Sequence, residues 1–214
     1  MHPGSGGEYW GQMRQIAVFD LNKTLYTKSS KEEFFKFVCY RRNYKLMSLI
    51  QVAFFKALGK THALSQTTFK ENFFRYLDHL PPDEVHELAR EFWSIEYPKY
   101  FHEQLLEKVD QLRADGTDVV VATGGLEIYV APLMEMMAVD TFCGTKTRYS
   151  GTRHHVVGEA AKGEEKLRRV DDVYGASNYR IIEAYSDDPE PILDRAERAY
   201  LVDGDSGEIR PYRG

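Results

Sequence analysis

The stretch VFDLNKT, Val18 to Thr24, ends an apolar run on a carboxylate, Asp20, with Asn22 and Thr24 spaced two and four residues beyond it. A second apolar run ends at Thr123–Gly124–Gly125 and a third at Ser186–Asp187–Asp188. Between these two lies a charged helix start carrying Lys162 and Lys166. A carboxylate nucleophile, a hydroxyl beside loop amides, a lysine and an acidic pair are the parts that phosphoryl transfer needs. Asp20 would attack phosphorus and carry the phosphoryl group covalently. Thr123, with the amides of Gly124 and Gly125, would hold phosphoryl oxygens as loops before helix N-termini do, and glycine permits the close backbone approach. A lysine would offset negative charge. Mg²⁺, a hard cation that takes oxygen ligands, would bridge Asp20, Asp187 and the phosphate.

Such residues act together only if a fold gathers them. QIAVFDL (15–21), TDVVVATGG (117–125) and YRIIEAYSDD (179–188) are apolar runs of strand length, closed by polar residues or glycine. IYVAPLMEMMAV and KGEEKLRRVDDVYG, between them, carry helical patterns. Strand, helix, strand, helix, strand predicts a parallel α/β sheet of Rossmann-like, three-layer type. In open sheets of this kind, ligands gather outside the carboxyl ends of the strands, where Asp20, Thr123 and Asp187 all fall. The block from Ser30 to about Ala114 is helical in pattern, with Gly59, Pro81–Pro82 and Pro98 as punctuation. It is too long for one crossover, which predicts an inserted helical cap over 29–114 on a core of 14–28 and 115–214. Residues 1–13 are Gly-rich and predict a flexible extension. DTFCGTKTRYSGTRHHVVG predicts short strands around Ser150–Gly151, and YLVDGDSGEIRPY a closing hairpin.

Composition narrows the function classes. The 214 residues are 43% apolar, enough for a packed core, and the formal net charge of -5 leaves no basic excess for a nucleic-acid backbone. Cys39 and Cys143 form no CxxC pair. They fit a reducing, cytoplasmic setting rather than a disulfide framework or zinc site. The greasiest stretch, LMSLIQVAFFKAL (46–58), is interrupted by Ser48, Gln51 and Lys56 and is too short to span a bilayer. Arg41, Arg42 and Lys45 have the charge to meet acidic head groups in a peripheral contact, although a solvated helix face is the plainer reading. The seven His show no metal spacing, and the cap's Phe34, Phe35, Phe37, Phe54, Phe55, Phe73 and Phe74 read as core. Oligomeric state is not legible.

In order and spacing, these motifs resemble the haloacid dehalogenase superfamily, and within it the phosphoserine-phosphatase-like branch, whose helical cap lies between its first and second motifs. FDLNKT is similar to the first motif, usually Asp-x-Asp-x-Thr; VATGGLEIYVAP to the second; KGEEKLRRV to the third; AYSDDPEPIL to the fourth. The resemblance runs from about Gln15 to Tyr212 and implies a Mg²⁺-dependent hydrolase of small or lipid-linked phosphate esters. It implies Asp20 as nucleophile and Thr24 as a residue of the loop after the strand, near the substrate. Lys162, before Gly–Glu, fits the third motif, with Lys166 as the alternative. Asp187 is implied as a metal ligand, with Asp188 as a second ligand or a helix cap. Asn22 is the departure. Its backbone carbonyl could still reach Mg²⁺, but the family's second Asp protonates the leaving oxygen and then activates water. That help is worth about 10²–10⁴-fold and an amide cannot supply it. The resemblance therefore implies either a slow or unusual phosphatase, or a phosphate-binding or regulatory protein with impaired catalysis. The cap texture is also similar to that of phosphatidylglycerophosphatase-like enzymes. Phosphoserine itself fits poorly, because Lys28–Ser29–Ser30 stands where that group carries a Glu.

Overall fold

The computed structural model describes residues 13–42, 73–139 and 141–213. The expected extension, the 46–58 stretch, Lys45, Phe54 and Phe55 lie outside the described residues, wholly or nearly so. A six-stranded sheet has β1 (Arg14–Phe19) near its centre. On one side of it run β2 (Asp118–Leu126) and β3 (Thr141–Thr145). On the other run β6 (Tyr179–Ser186), β7 (Arg198–Val202) and β8 (Ile209–Pro211). All neighbours pair parallel except β7 and β8, which close an antiparallel hairpin. β4 (Thr147–Tyr149) and β5 (His154–Val156) form a separate hairpin. The expected parallel α/β architecture is the observed one.

The period-2 alternation of strands divides β1 between two cores. Ala17 and Phe19 face one cluster, Ile16 and Val18 the other, all at most 1% exposed. Both faces are therefore covered, which is why the strands read as continuous apolar runs. The second face takes α5 (Glu164–Tyr174) and the short α6 (Pro191–Arg195), through Val170, Ile192 and Leu193. The first takes α4 (Glu127–Met137) and α3 (Glu103–Ala114). Helix α3, expected in the cap, packs against the sheet: Leu105, Val109 and Leu112 lie in the cluster that holds Ala17 and Phe19 together with Phe34 and Phe92, and Lys108 reaches Glu183 of β6 at 3.1 Å. Its apolar spacing matched the helices before it, so the pattern alone could not assign it to the sheet.

The chain leaves the sheet after β1 into α1 (Ser30–Arg41) and returns through α2 (Pro82–Glu96). Pro82 opens α2 at a position where its missing N–H costs no bond, with Asp83 and Glu84 in the first turn as expected. The outgoing and returning strands of chain are tied side by side. Thr27 N and Oγ1 donate to Tyr100 O at 3.0 and 3.1 Å, and Tyr26 bridges Phe101. Beneath them Glu96, 9% exposed, accepts from Tyr26 Oη (2.6 Å) and Lys28 Nζ (2.8 Å). The β4–β5 hairpin holds the approach to α2, with His79 N donating to Thr152 O and His154 Nε2 to Leu80 O. Phe34, Phe35, Phe73 and Phe74 pack as core. Among the described residues no helix is long and apolar enough to cross a membrane. Neither Cys39 nor Cys143 is in a disulfide.

Candidate active site

Asp20 stands at the carboxyl end of β1, where its amide continues the ladder by donating to Tyr185 O at 2.9 Å. Its Oδ1 accepts from Leu21 N at 2.7 Å and lies 3.2 Å from Lys166 Nζ. The carboxylate is thus pinned through one oxygen. A cleft of about 250 Å³ opens above it. Its floor includes Asp20, Asn22, Lys166, Asp187 and Glu190, and Gly124, Gly125 and Lys162 also line it. Ser29, Lys31, Phe73, Phe74 and Tyr129 form the wall toward α1.

The third-motif preference is reversed by the geometry. Lys166, not Lys162, meets Asp20. Gly163 takes φ +58°, a left-handed value that glycine adopts freely, and α5 starts directly after it. This turn leaves Lys162 exposed at the rim and carries Lys166 one turn into the helix, where it is 3% exposed. Its ammonium also donates to both oxygens of Glu190, at 2.9 and 2.7 Å. Burial opposes the charge on Lys166, but Asp20 and Glu190 outweigh it and hold the ammonium above its ordinary pKa. Burial pushes Glu190 up against the pull of Lys166. Glu190 went unnoticed in the sequence; its signal was an acid between two prolines, Pro189 and Pro191, directly after the acidic pair.

Asp187 is pushed up to about 6, first by burial, then by the charges of Asp20 and Asp188. Asp188 is exposed, and Glu190 rather than Asp188 stands at the N-cap of α6. Among the described residues no three His, Cys, Asp or Glu side chains form a ready cage for a metal ion. Mg²⁺ asks for less, since it keeps several waters and takes one or two carboxylates besides substrate oxygens. The donors present fit that requirement. Asp20 and Asp187 offer two hard carboxylate oxygens; burial raises Asp187 first and the charge of Asp20 next, and a cation would relieve both.

Two expected phosphate contacts are placed otherwise. Thr123 is fully buried and does not line the cleft; its Oγ1 accepts from Gly125 N at 3.1 Å and from Asn22 Nδ2 at 3.4 Å. It shapes the loop, and Gly124 and Gly125 present the backbone instead. Gly125 has no room for a side chain, because a Cβ would come within 2.8 Å of Tyr129 Oη. Thr24 is fully buried, away from the cleft lining, and its hydroxyl has no hydrogen-bond partner. Asn22 is held at both ends, its Oδ1 accepting from Ser30 N at 2.7 Å. Thr145 was missed altogether. It donates to Gly124 O at 3.1 Å and accepts from Ala161 N at 3.0 Å, joining two walls of the cleft. No local pattern distinguishes it from any other strand threonine.

Asp20 thus stands at the end of the central strand and is met by Lys166 from a later helix. The model of the haloacid dehalogenase-like hydrolases matches residues 17–190. The chain belongs to that family. This hydrolase also resembles solved structures at low identity. A protein of unknown function from Bordetella pertussis Tohama I is 19% identical, with TM-score 0.78 over 89% of this chain and 90% of that one. A phosphoserine phosphohydrolase-like protein from Francisella tularensis is 17% identical, with TM-score 0.61 over 86% and 85%. A phosphoserine phosphatase from T. onnurineus is 17% identical, with TM-score 0.56 over 92% and 88%. At these identities the likeness describes the hydrolase's fold. No curated protein matches it.

Proposed function

We propose that this haloacid dehalogenase-like hydrolase cleaves phosphate esters through an aspartyl-phosphate on Asp20, with Mg²⁺ as cofactor and a small or lipid-linked phosphate compound as substrate. The observation that carries the reading is the buried Asp20–Lys166–Glu190 arrangement. It fixes one oxygen of Asp20, and among the described residues no hydrogen bond or ion pair engages the other. An Asp20 oxygen forms the bond to phosphorus while the bond to the leaving oxygen breaks, its electron pair departing with the leaving group. Water then attacks phosphorus as the bond to Asp20 breaks, its electron pair returning to the carboxylate and the water's proton passing to the released phosphate. Gly124 and Gly125 offer backbone to phosphoryl oxygens, and Lys166 keeps a positive charge against Asp20 throughout. Asp20 and Asp187, with the Asn22 carbonyl, would hold Mg²⁺, which supplies charge stabilisation to the phosphoryl group when bound.

In the same reading the cap spans residue 29 to about residue 100, the tied segments at 26–28 and 96–101 are its hinge, and its opening admits substrate. The two unbonded cysteines suit the cytoplasm. A second reading has support in Asn22, whose amide is engaged at both ends and has no proton to give. It makes the chain a phosphate-binding or regulatory protein with little turnover. Steady-state assay of p-nitrophenyl phosphate and a phosphate panel with Mg²⁺ separates the two. Hydrolysis lost in Asp20→Ala supports the enzyme. Phosphate binding without hydrolysis, in the natural chain and in Asn22→Asp, supports the binding protein.

A further inference from the structure

The orientation of Asn22 is set by its neighbours. A backbone N–H only donates, so Ser30 N takes the oxygen end and Nδ2 is left facing Thr123 Oγ1. Nothing on this side chain can protonate a departing oxygen. Of the other polar groups that line the cleft, Lys166, Glu190, Tyr129 and Asp187 have other engagements, Ser29 and Lys31 stand by α1, and Lys162 and Asp188 are exposed to solvent. Lys166 is buried between two carboxylates, and both oxygens of Glu190 accept from it. Tyr129 is fully buried, its Oη sharing a hydrogen bond with Ser30 Oγ. Asp187 is the carboxylate proposed above for the metal.

We infer that this chain is matched to phosphate compounds whose leaving group departs as a stable anion, such as acyl phosphates, aryl phosphates or phosphoanhydrides, in preference to esters of simple alcohols. The inference rests on the hydrolase reading above. When Asp20 forms its bond to phosphorus, the pair from the breaking P–O bond stays on the leaving oxygen. A carboxylate, phenolate or phosphate carries that charge unaided, whereas an alkoxide must be given a proton. General acid help is worth about 10²–10⁴-fold, so esters of simple alcohols are disfavoured here by a factor of that order. Restoring a carboxylate tests the proton alone. Asp at 22 has the same shape, still accepts from Ser30 N, and can accept from the Thr123 hydroxyl after that rotor turns.

The test is kcat/KM, which reports the steps up to the first P–O cleavage, for aryl phosphates of rising leaving-group pKa, acetyl phosphate and glycerol phosphate, with Mg²⁺. In the natural chain kcat/KM is expected to fall steeply along the series. Asn22→Asp is expected to raise glycerol phosphate cleavage by about 10²–10⁴-fold and acetyl phosphate cleavage far less. A dependence in the natural chain as shallow as the variant's, or equal gains on both substrates, would overturn the inference and leave the hydrolase reading standing. No turnover of any member by either protein would overturn both. If Asn22→Asp does not fold, the slope of the natural chain alone decides.

Discussion

Lys166 and Lys162 are four residues apart and do different work. Removing the buried ammonium leaves Asp20 and Glu190 facing each other without compensation, and breaking a buried ion pair costs about 3–5 kcal/mol. Lys166→Met should therefore lower the free energy of urea unfolding by about 3–5 kcal/mol, while Lys162→Met, exposed at the rim, should stay within about 0.5 kcal/mol of the natural chain. Equal midpoints for the two variants would contradict the assignment. Asp187 gives a pH signature. Its folded pKa, about 6, lies above the ordinary 3.8, so the folded state holds the proton more tightly than the unfolded one. Its ionisation thus costs stability, a cost absent below pH 3.8 and complete above about pH 6. Asp187→Asn should raise the metal-free melting temperature at pH 7.5 and lose most of that gain at pH 4. Mg²⁺ should raise the melting temperature of the natural chain at pH 7.5 and do so less in the variant. A gain that does not change with pH would refute this. At this scale Asp20 and Asp187 were legible because they close apolar runs. That Lys166 rather than Lys162 meets Asp20 was not legible, since only the turn at Gly163 decides which lysine swings inward.

Strands and helices were the most legible level. An apolar run of strand length buried on both faces has few alternatives, and β1, β2 and β6 fell close to where the pattern put them. Ties between elements were not legible, because a single hydroxyl makes them. Thr145 on β3 donates to Gly124 O near the end of β2 and accepts from Ala161 N before α5. Thr145→Val keeps the shape and removes both hydrogen bonds. A buried polar group that loses its bond in this way costs about 1–3 kcal/mol. The variant is expected to lose stability of that order. It should also raise KM for a phosphate substrate more than it lowers kcat, because Gly124 and Lys162 line the same cleft. Unchanged KM with unchanged stability would show that the two loops are held by something else.

At the scale of the whole molecule, the site exists because the sheet reverses its winding at β1. β2 and β3 extend one way and β6 and β7 the other, so Asp20 lies between the ends that carry Gly124 and Asp187. The order of motifs announced that arrangement. Where the insert ends was harder to read, since α3 has the same periodicity as the cap helices and differs only in what it covers. In the proposed reaction it is an oxygen of Asp20 that bonds to phosphorus. The direct test is to quench the protein in acid during turnover of p-nitrophenyl phosphate with Mg²⁺ and to map the chain by mass spectrometry. A phosphoryl group on the peptide containing Asp20, absent in Asp20→Asn, is the expected result. Turnover that persists in Asp20→Asn, or a phosphoryl group on any other residue, would contradict it.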